Sequence, residues 1–220
     1  MCRQLANVVH QTLPELLMKL VFSPLSPYAR KVLVLAHELN IADRLELVLV
    51  SVSPTNHEAV AYQHNPLGKV PTLIRDDGRA IADSRVICDF LLDSCGGAPT
   101  LHAGGEDSWD MRTRGAIAEG LTDAAMVARY EVALRPEAFQ WREWVAAYEK
   151  KVVLALDHLE NTAAAIRPDM LCLADITTAC ALGYLDFRFA HLNWRQGRPS
   201  LTQAYAEMAQ RPSLLATAPA

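Results

Sequence analysis

The chain has 220 residues, 51% of them hydrophobic and 21% charged, with a formal net charge of −4 and a pI near 6.0. That length permits one large domain or two modest ones, and that apolar share can bury a real core. The acidic balance offers nucleic acid no basic surface, and no apolar run approaches the roughly 18 residues needed to span a membrane.

Residues 1–17 read as a loosely held extension: Leu5, Val8 and Val9 are apolar, but no small-residue cleavage site follows a clear apolar core. The fold is expected to begin in the run 18–22, with a first strand over Leu20–Phe22. A loop over 23–27 follows. A helix is then predicted over Tyr28–Leu39, where Val32, Leu35, Ala36 and Leu39 recur at helical steps. Ser26 suits its N-cap, Pro27 its first position and Asn40 its stop. Leu45–Val50 reads as a second strand, and 57–64 as weakly helical or irregular. Thr72–Ile74, the turn Asp76-Asp77-Gly78 and Ala80–Ala82 read as a hairpin. A helix over Arg85–Leu92 follows. The order β-α-β, then β-β-α, makes a mixed four-stranded sheet with helices on its faces, the thioredoxin-like layout.

The composition then shifts. Glycines and prolines in 94–105 punctuate a linker over 96–105, and no convincing strand follows Asp107. Residues 106–134 form one long helical stretch. Pro136 breaks it, and 137–160 form another, with Trp141, Trp144, Tyr148, Val152, Ala155 and Leu159 on one face expected to meet the core. At Leu171–Ile176 a helix starts. Asp175 can accept from the N–H of Cys172, and Leu171 and Ile176 can form a hydrophobic staple. Cys172 is a weak cap, at a cost of about 1 kcal/mol relative to Ser or Thr. This helix is expected to reach about Phe189. A last short one over Leu201–Gln210 should end at Arg211-Pro212. The fold class is thus a two-domain α+β/α chain: extension 1–17, thioredoxin-like domain 18–95, linker 96–105 and an all-α helical bundle over 106–217.

The five cysteines, Cys2, Cys88, Cys95, Cys172 and Cys180, form no CxxC and are odd in number, against a full disulfide framework. Cys88, Cys172 and Cys180 read as buried thiols, and a reducing, cytoplasmic setting follows. None of the seven histidines stands at i,i+4 to another, so no metal site is visible.

The stretch Val70-Pro71-Thr72-Leu73 and the nearby Asp83-Ser84 carry the functional signal. A proline heading an inner strand removes a ladder donor, which makes sense if the Val70-Pro71 bond is cis and the N–H and C=O of Val70 turn outward. Asp83-Ser84 would open a helix whose free N–H groups attract an anion. An edge that pairs with a backbone, beside a pocket for a carboxylate, suits a small peptide. A plain hairpin followed by an N-capped helix accounts for the same residues, and both readings stand at this point.

Ser26-Pro27-Tyr28-Ala29-Arg30, Asn65-Pro66-Leu67-Gly68-Lys69-Val70-Pro71, Ile81-Ala82-Asp83-Ser84 and Leu173-Ala174-Asp175-Ile176 together resemble the cytosolic glutathione S-transferase family over roughly residues 18–217. The likeness is greatest to its bacterial serine-type branch, which the tail Asn193-Trp194-Arg195-Gln196-Gly197-Arg198-Pro199 also suits. The resemblance implies a homodimeric detoxification enzyme with glutathione as co-substrate and no metal. Val70, with Pro71, would pair with the cysteinyl backbone. Asp83 and Ser84 would hold the γ-glutamyl end, and Lys69 would lie near the glycine carboxylate. The electrophile pocket would involve Tyr28, Trp109, Arg112, Arg129 and Tyr130. Ser26, or else Ser23 in the same loop, would donate a hydrogen bond to the thiolate, although Ser26 can equally serve only as a cap. Lowering a thiol from ~8.5 by about two units takes about 2.7 kcal/mol. A charge-assisted hydrogen bond of roughly 1.5–3 kcal/mol and a helix N-terminus of roughly 0.3–1 can supply that. Arg30 is expected to be solvated or ion-paired near a domain or dimer boundary. A glutathione-dependent thiol reductase would need cysteine where Ser26 stands. A non-catalytic glutathione-binding or stress-response protein on the same fold is the alternative from another class.

Overall fold

The computed structural model describes residues 17–56, 58–94 and 107–219; the expected extension up to residue 16, the linker 96–105, Cys2 and Cys95 lie outside them. Strand β1, Met18–Phe22, is the centre of the first half. It pairs in parallel with β2, Leu45–Leu49, and antiparallel with β3, Thr72–Ile74, which in turn pairs antiparallel with β4, Ala80–Ile81. The sheet order is β2-β1-β3-β4. Alternation sets its faces: Met18 and Leu20 are buried, while Lys19 points out and reaches Glu46 of β2 across the parallel register at 3.2 Å.

Helix α1, Pro27–Glu38, starts on Pro27 as expected, with Leu39 as its C-cap and Asn40 at φ 56 just beyond. A short α2, Ala59–His64, precedes β3. Helix α3 spans Ser84–Ser94, beginning one residue earlier and ending later than its apolar run suggests.

The second half is helical: α4, Ser108–Leu134; α5, Arg142–Asn161; α6, Leu173–Arg188; α7, Pro199–Met208; and α8, Pro212–Ala216. Helix α6 is buried from Ala174 to Leu185, which fits a helix apolar on all sides. It packs on α1 and on α4, so one contiguous core runs from the sheet into the bundle. At its start Asp175 Oδ2 accepts the Cys172 N–H at 2.9 Å, as the sequence suggests. Its Oδ1 also takes Arg114 Nη1 of α4 at 2.6 Å, both side chains being about 1% exposed.

Three expectations need correction. Helix α5 starts at Arg142, because residues 137–139 form a 3-10 turn after Pro136. There Gln140 Nε2 donates to the carbonyls of Val132 (2.9 Å) and Arg135 (3.0 Å), closing the end of α4. The aromatic face of α5 meets the core only in its later turns: Val152 and Leu159 are fully buried, whereas Trp141 is 59% and Trp144 38% exposed. These two stack on each other beyond the core at 5.8 Å. Finally, Pro212 does not merely end a helix; it opens α8, where its missing N–H costs nothing. Trp194, between α6 and α7, is buried and donates to Asp186 Oδ1 at 2.7 Å.

Candidate functional site

Three segments lie at one end of the sheet: the loop after β1, the loop before β3 and the start of α3 after β4. In the first, Ser26 N donates to Ser23 O at 3.0 Å, closing the loop, and Ser26 O accepts the Arg30 N–H at 3.0 Å. Ser26 Oγ caps α1 by accepting the Ala29 N–H at 3.2 Å. Capping uses a lone pair and leaves the hydroxyl hydrogen to donate elsewhere. Cap and anion donor are therefore compatible roles for one oxygen. Ser23 stands at the same loop, half-buried, and gives its carbonyl to the turn.

The second segment is the loop 65–72. The Val70-Pro71 bond is cis, as the sequence suggests. Asn65, buried, holds this loop from inside. Its Nδ2 donates to Lys69 O (3.1 Å) and Thr72 Oγ1 (3.1 Å), its Oδ1 accepts the Leu67 N–H (3.0 Å), and Thr72 Oγ1 donates to Lys69 O (3.0 Å). Gly68 sits at φ +58 with the Tyr62 ring 2.4 Å from where a Cβ would stand, so glycine is required both by conformation and by space. Among the described residues no backbone hydrogen bond takes the N–H or C=O of Val70. Lys69 is exposed and pairs with no carboxylate among the described residues.

The third segment is the start of α3. Asp83 Oδ1 accepts the Arg85 N–H at 2.9 Å, and Oδ2 takes the Arg85 guanidinium at 2.7 Å. That guanidinium, more than the opposing burial, holds the Asp83 carboxyl below its ordinary value. Any ammonium at Asp83 would share it with Arg85. Ser84 is 1% exposed, and its hydroxyl turns toward Glu119 of α4 at 3.5 Å.

Across the junction of the two halves the polar contacts were not foreseen from sequence. Lys31 of α1 pairs with Glu119 Oε2 at 2.6 Å, with side chains 3% and 13% exposed. One turn earlier, Tyr28 donates to Asp123 Oδ1 at 2.5 Å. Burial first, then that hydrogen bond, pushes the Tyr28 phenol far above its usual range, so it keeps its proton and directs it to Asp123. Arg30 is corrected from a solvated or ion-paired residue to a buried one, 8% exposed. Its Nη2 donates to Leu214 O at 3.1 Å and its Nε to Thr217 Oγ1 at 3.4 Å, beyond α8.

Two small clefts flank this junction. One is lined by Leu25, Ser26, Arg30, Cys180, Tyr184 and Pro219 among others. The second lies between Tyr28, Lys31, Glu119 and Thr177. Cys180, reaching both, is buried, and burial raises its thiol to about 11; Cys88 rises to about 12 for the same reason.

The residues expected at an electrophile pocket are not gathered at one place. Tyr28 is at the junction. Arg129 and Tyr130 act electrostatically on Tyr184, which lines the first cleft. Trp109 is 73% exposed at the start of α4, with the Arg112 guanidinium 5.9 Å from its ring. Lys31, Glu119, Asp123 and Asn65 were missed as site residues. The signal that could have found Lys31 is its place among the buried positions of α1.

Residues 25–94 match the family described as glutathione S-transferase, N-terminal domain, and residues 142–207 match the C-terminal domain of the same name. The chain is 34% identical over 204 residues to an Escherichia coli K12 protein named "Uncharacterized GST-like protein YibF", covering 92% of this chain and 98% of that one. It is similar to a crystal structure of a glutathione transferase family member from Pseudomonas fluorescens Pf-5 with bound glutathione, at TM-score 0.88 and 42% identity, over 92% of this chain and 99% of that one. A second structure described in the same words carries S-(propanoic acid)-glutathione, at TM-score 0.83 and 41% identity over 92% and 99% of the two chains. A glutathione S-transferase from Methylobacillus flagellatus KT with glutathione bound matches at TM-score 0.80 and 37% identity, over 92% and 100% of the two chains.

Proposed function

This chain belongs to the glutathione S-transferase family, and we propose on that premise that it joins the glutathione thiolate to a small hydrophobic electrophile, as a homodimer in the cytoplasm in the manner of a detoxification enzyme. The observation that carries the reading is the Ser26 hydroxyl: it caps α1 as an acceptor, keeps its hydrogen and lines a cleft. At that point the hydroxyl and the positive end of α1 act on one anion.

The roles follow from the chemistry of each group. Glutathione is a poor nucleophile as the thiol and a good one as the thiolate. Ser26 donates to the thiolate, with Ser23 as the second candidate. The open N–H and C=O of Val70, beside Pro71, pair with the cysteinyl backbone. The γ-glutamyl ammonium shares the Asp83 carboxylate with Arg85, while its carboxylate meets the start of α3 at Ser84. Lys69 faces the glycine carboxylate. Tyr28, Arg129 and Tyr130 border the electrophile, with Trp109 and Arg112 farther out on α4. The relatives crystallised with glutathione support the co-substrate, and the Pseudomonas structure holding S-(propanoic acid)-glutathione supports an S-substituted product. A thiol reductase needs an exposed low-pKa cysteine. Loop 23–28 contains none, and the described cysteines are buried.

The test is the ultraviolet absorbance of bound glutathione thiolate across pH, in the wild type, Ser26→Ala and Ser23→Ala. Expected is a wild-type titration well below the free thiol and a rise of about one to two units in Ser26→Ala, the worth of one charge-assisted hydrogen bond. Equal titrations in wild type and Ser26→Ala would remove Ser26 from the role. A bound thiol that titrates like the free one in every variant would leave glutathione binding without activation.

A further inference from the structure

Among the described residues Arg30 is a cation buried without an anion. Only 8% of it is exposed, and it donates to a carbonyl, Leu214 O, and a hydroxyl, Thr217 Oγ1. Buried charges are ordinarily paired, because the desolvation of an unmatched ion is costly. Among the described residues no carboxylate answers it. Among the described residues its Nη1 has no hydrogen-bond acceptor, whereas Nε and Nη2 do. Arg30 lines the first cleft with Ser26, Leu25, Cys180, Tyr184 and Pro219.

Its surroundings are arranged for it. Nη1 lies over Gly183 of α6, only 2.3 Å from where a Cβ would stand, so any larger residue would displace the guanidinium. The other groups facing Arg30 are neutral or already matched: the Cys180 thiol and the Tyr184 and Tyr205 phenols keep their protons through burial, and Lys31 is paired with Glu119. The other lining residues are uncharged, and Arg30 is the charged one.

We propose that the cleft beside Ser26 recognises an electrophile bearing a carboxylate, and that Arg30 Nη1 is the group that binds it. This rests on the conjugation reading and narrows its substrate to small α,β-unsaturated acids. The thiolate sulfur forms a bond to the β-carbon. The π pair of the C=C moves to the α-carbon, and that carbon then takes a proton from solvent, replacing the one the thiol released. No oxidant or reductant enters, and no group leaves. Arg30 holds the carboxylate so that the β-carbon faces the sulfur, and its charge opposes the negative charge that grows next to that carboxylate in the transition state.

The experiment compares acrylate with its neutral counterpart acrylamide. In Arg30→Met the ratio of kcat/KM for acid over amide should fall by about tenfold to a hundredfold, the worth of one charge-assisted hydrogen bond. Arg30→Lys should recover part of the ratio, because it keeps charge without the planar fork. An unchanged ratio, or an equal loss on both substrates together with a raised titration of bound thiolate, would overturn the proposal and make Arg30 a support of the thiolate. Calorimetry of propionate and propionamide on the glutathione-loaded wild type needs neither a variant nor turnover. Propionate should bind the more tightly of the two, and equal or absent binding overturns the acid site even where conjugation of neutral electrophiles stands. Propionate binding in a protein that conjugates nothing would instead sink the conjugation reading alone.

Discussion

Among the described residues, the ion pairs Arg114–Asp175 and Lys31–Glu119 are both largely buried, and they do different work. Arg114–Asp175 lies wholly within the helical half, joins α4 to α6 and is sealed on both sides. Lys31–Glu119 crosses between the halves, is slightly open on its acid side, and touches Ser84 at the start of α3. The first is bound up with a helix cap, since the same Asp175 satisfies the Cys172 N–H. The second sets how the helices of the first half meet the bundle. A sealed pair fixes a fold, whereas a pair at a seam fixes an alignment, and the two should fail differently.

The largest effect should come from Asp175→Ala. It removes the carboxylate that Arg114 pairs with and uncaps α6, so a loss of about 3–5 kcal/mol is expected in urea unfolding. A loss under about 1 kcal/mol would show that Arg114 is satisfied by other means. Glu119→Ala should cost less, about 1.5–3 kcal/mol, and should also weaken glutathione binding, because Ser84 loses its partner. Lys31→Met combined with Glu119→Leu removes both charges and should sit closer to the wild type in stability than either single change does. If it restores stability but not glutathione binding, the seam pair is an alignment device; if both return, it is only packing.

Smaller effects sharpen the same contrast in the first half. Gly68→Ala meets both a left-handed backbone and the Tyr62 ring, while Gly78→Ala, at φ +80, meets only the backbone. Each should lose roughly 1–2 kcal/mol from conformation, with Gly68→Ala the worse and alone in weakening glutathione binding, since its loop carries Val70. Equal behaviour in calorimetry would mean that the Tyr62 ring swings clear.

The smallest is a pH effect at the seam of α1 and α8. Burial alone would raise the Glu38 carboxyl, but hydrogen bonds from Arg211 (2.6 Å) and Ser213 outweigh it and hold it below its ordinary value. A carboxyl depressed in the folded state stabilises above its unfolded pKa, near ~4.3, and that stability is lost as pH falls through the folded value. Glu38→Gln should therefore be less stable than wild type at neutral pH, with the gap closing below about pH 4. A gap independent of pH would assign the contact to shape and not to charge.

What the sequence disclosed and what it concealed divide along the same seam. Strand β3, the cis bond at Val70-Pro71, the cap at Ser26 and the Asp175–Cys172 contact are local: each depends on residues a few positions apart, and periodicity, prolines and capping residues report them. Lys31 and Glu119, or Arg30 and Thr217, are far apart in the chain and sit on helices whose charged residues read as solvated faces. Nothing in a lysine's neighbours announces that a glutamate from another domain will cover it. Trp141 and Trp144 failed in the opposite sense. Their spacing matches a core-facing stripe, but the helix projects past the core there, and length is a property of the packing and not of the stripe.

The placement of the tryptophans has a practical consequence for optical work. Trp109, Trp141 and Trp144 stand open to solvent to varying degrees, whereas Trp194 is enclosed, hydrogen-bonded to Asp186 and edge-on to Tyr205 at 5.7 Å. Dissolved iodide should extinguish the exposed indoles first and leave an emission dominated by Trp194. That residual light comes from the junction of α6 and α7, beside the Tyr205 hydroxyl that approaches Gly183. The chain thus carries its own lamp a short way behind the Arg30 cleft, and a quencher is the shutter that isolates it.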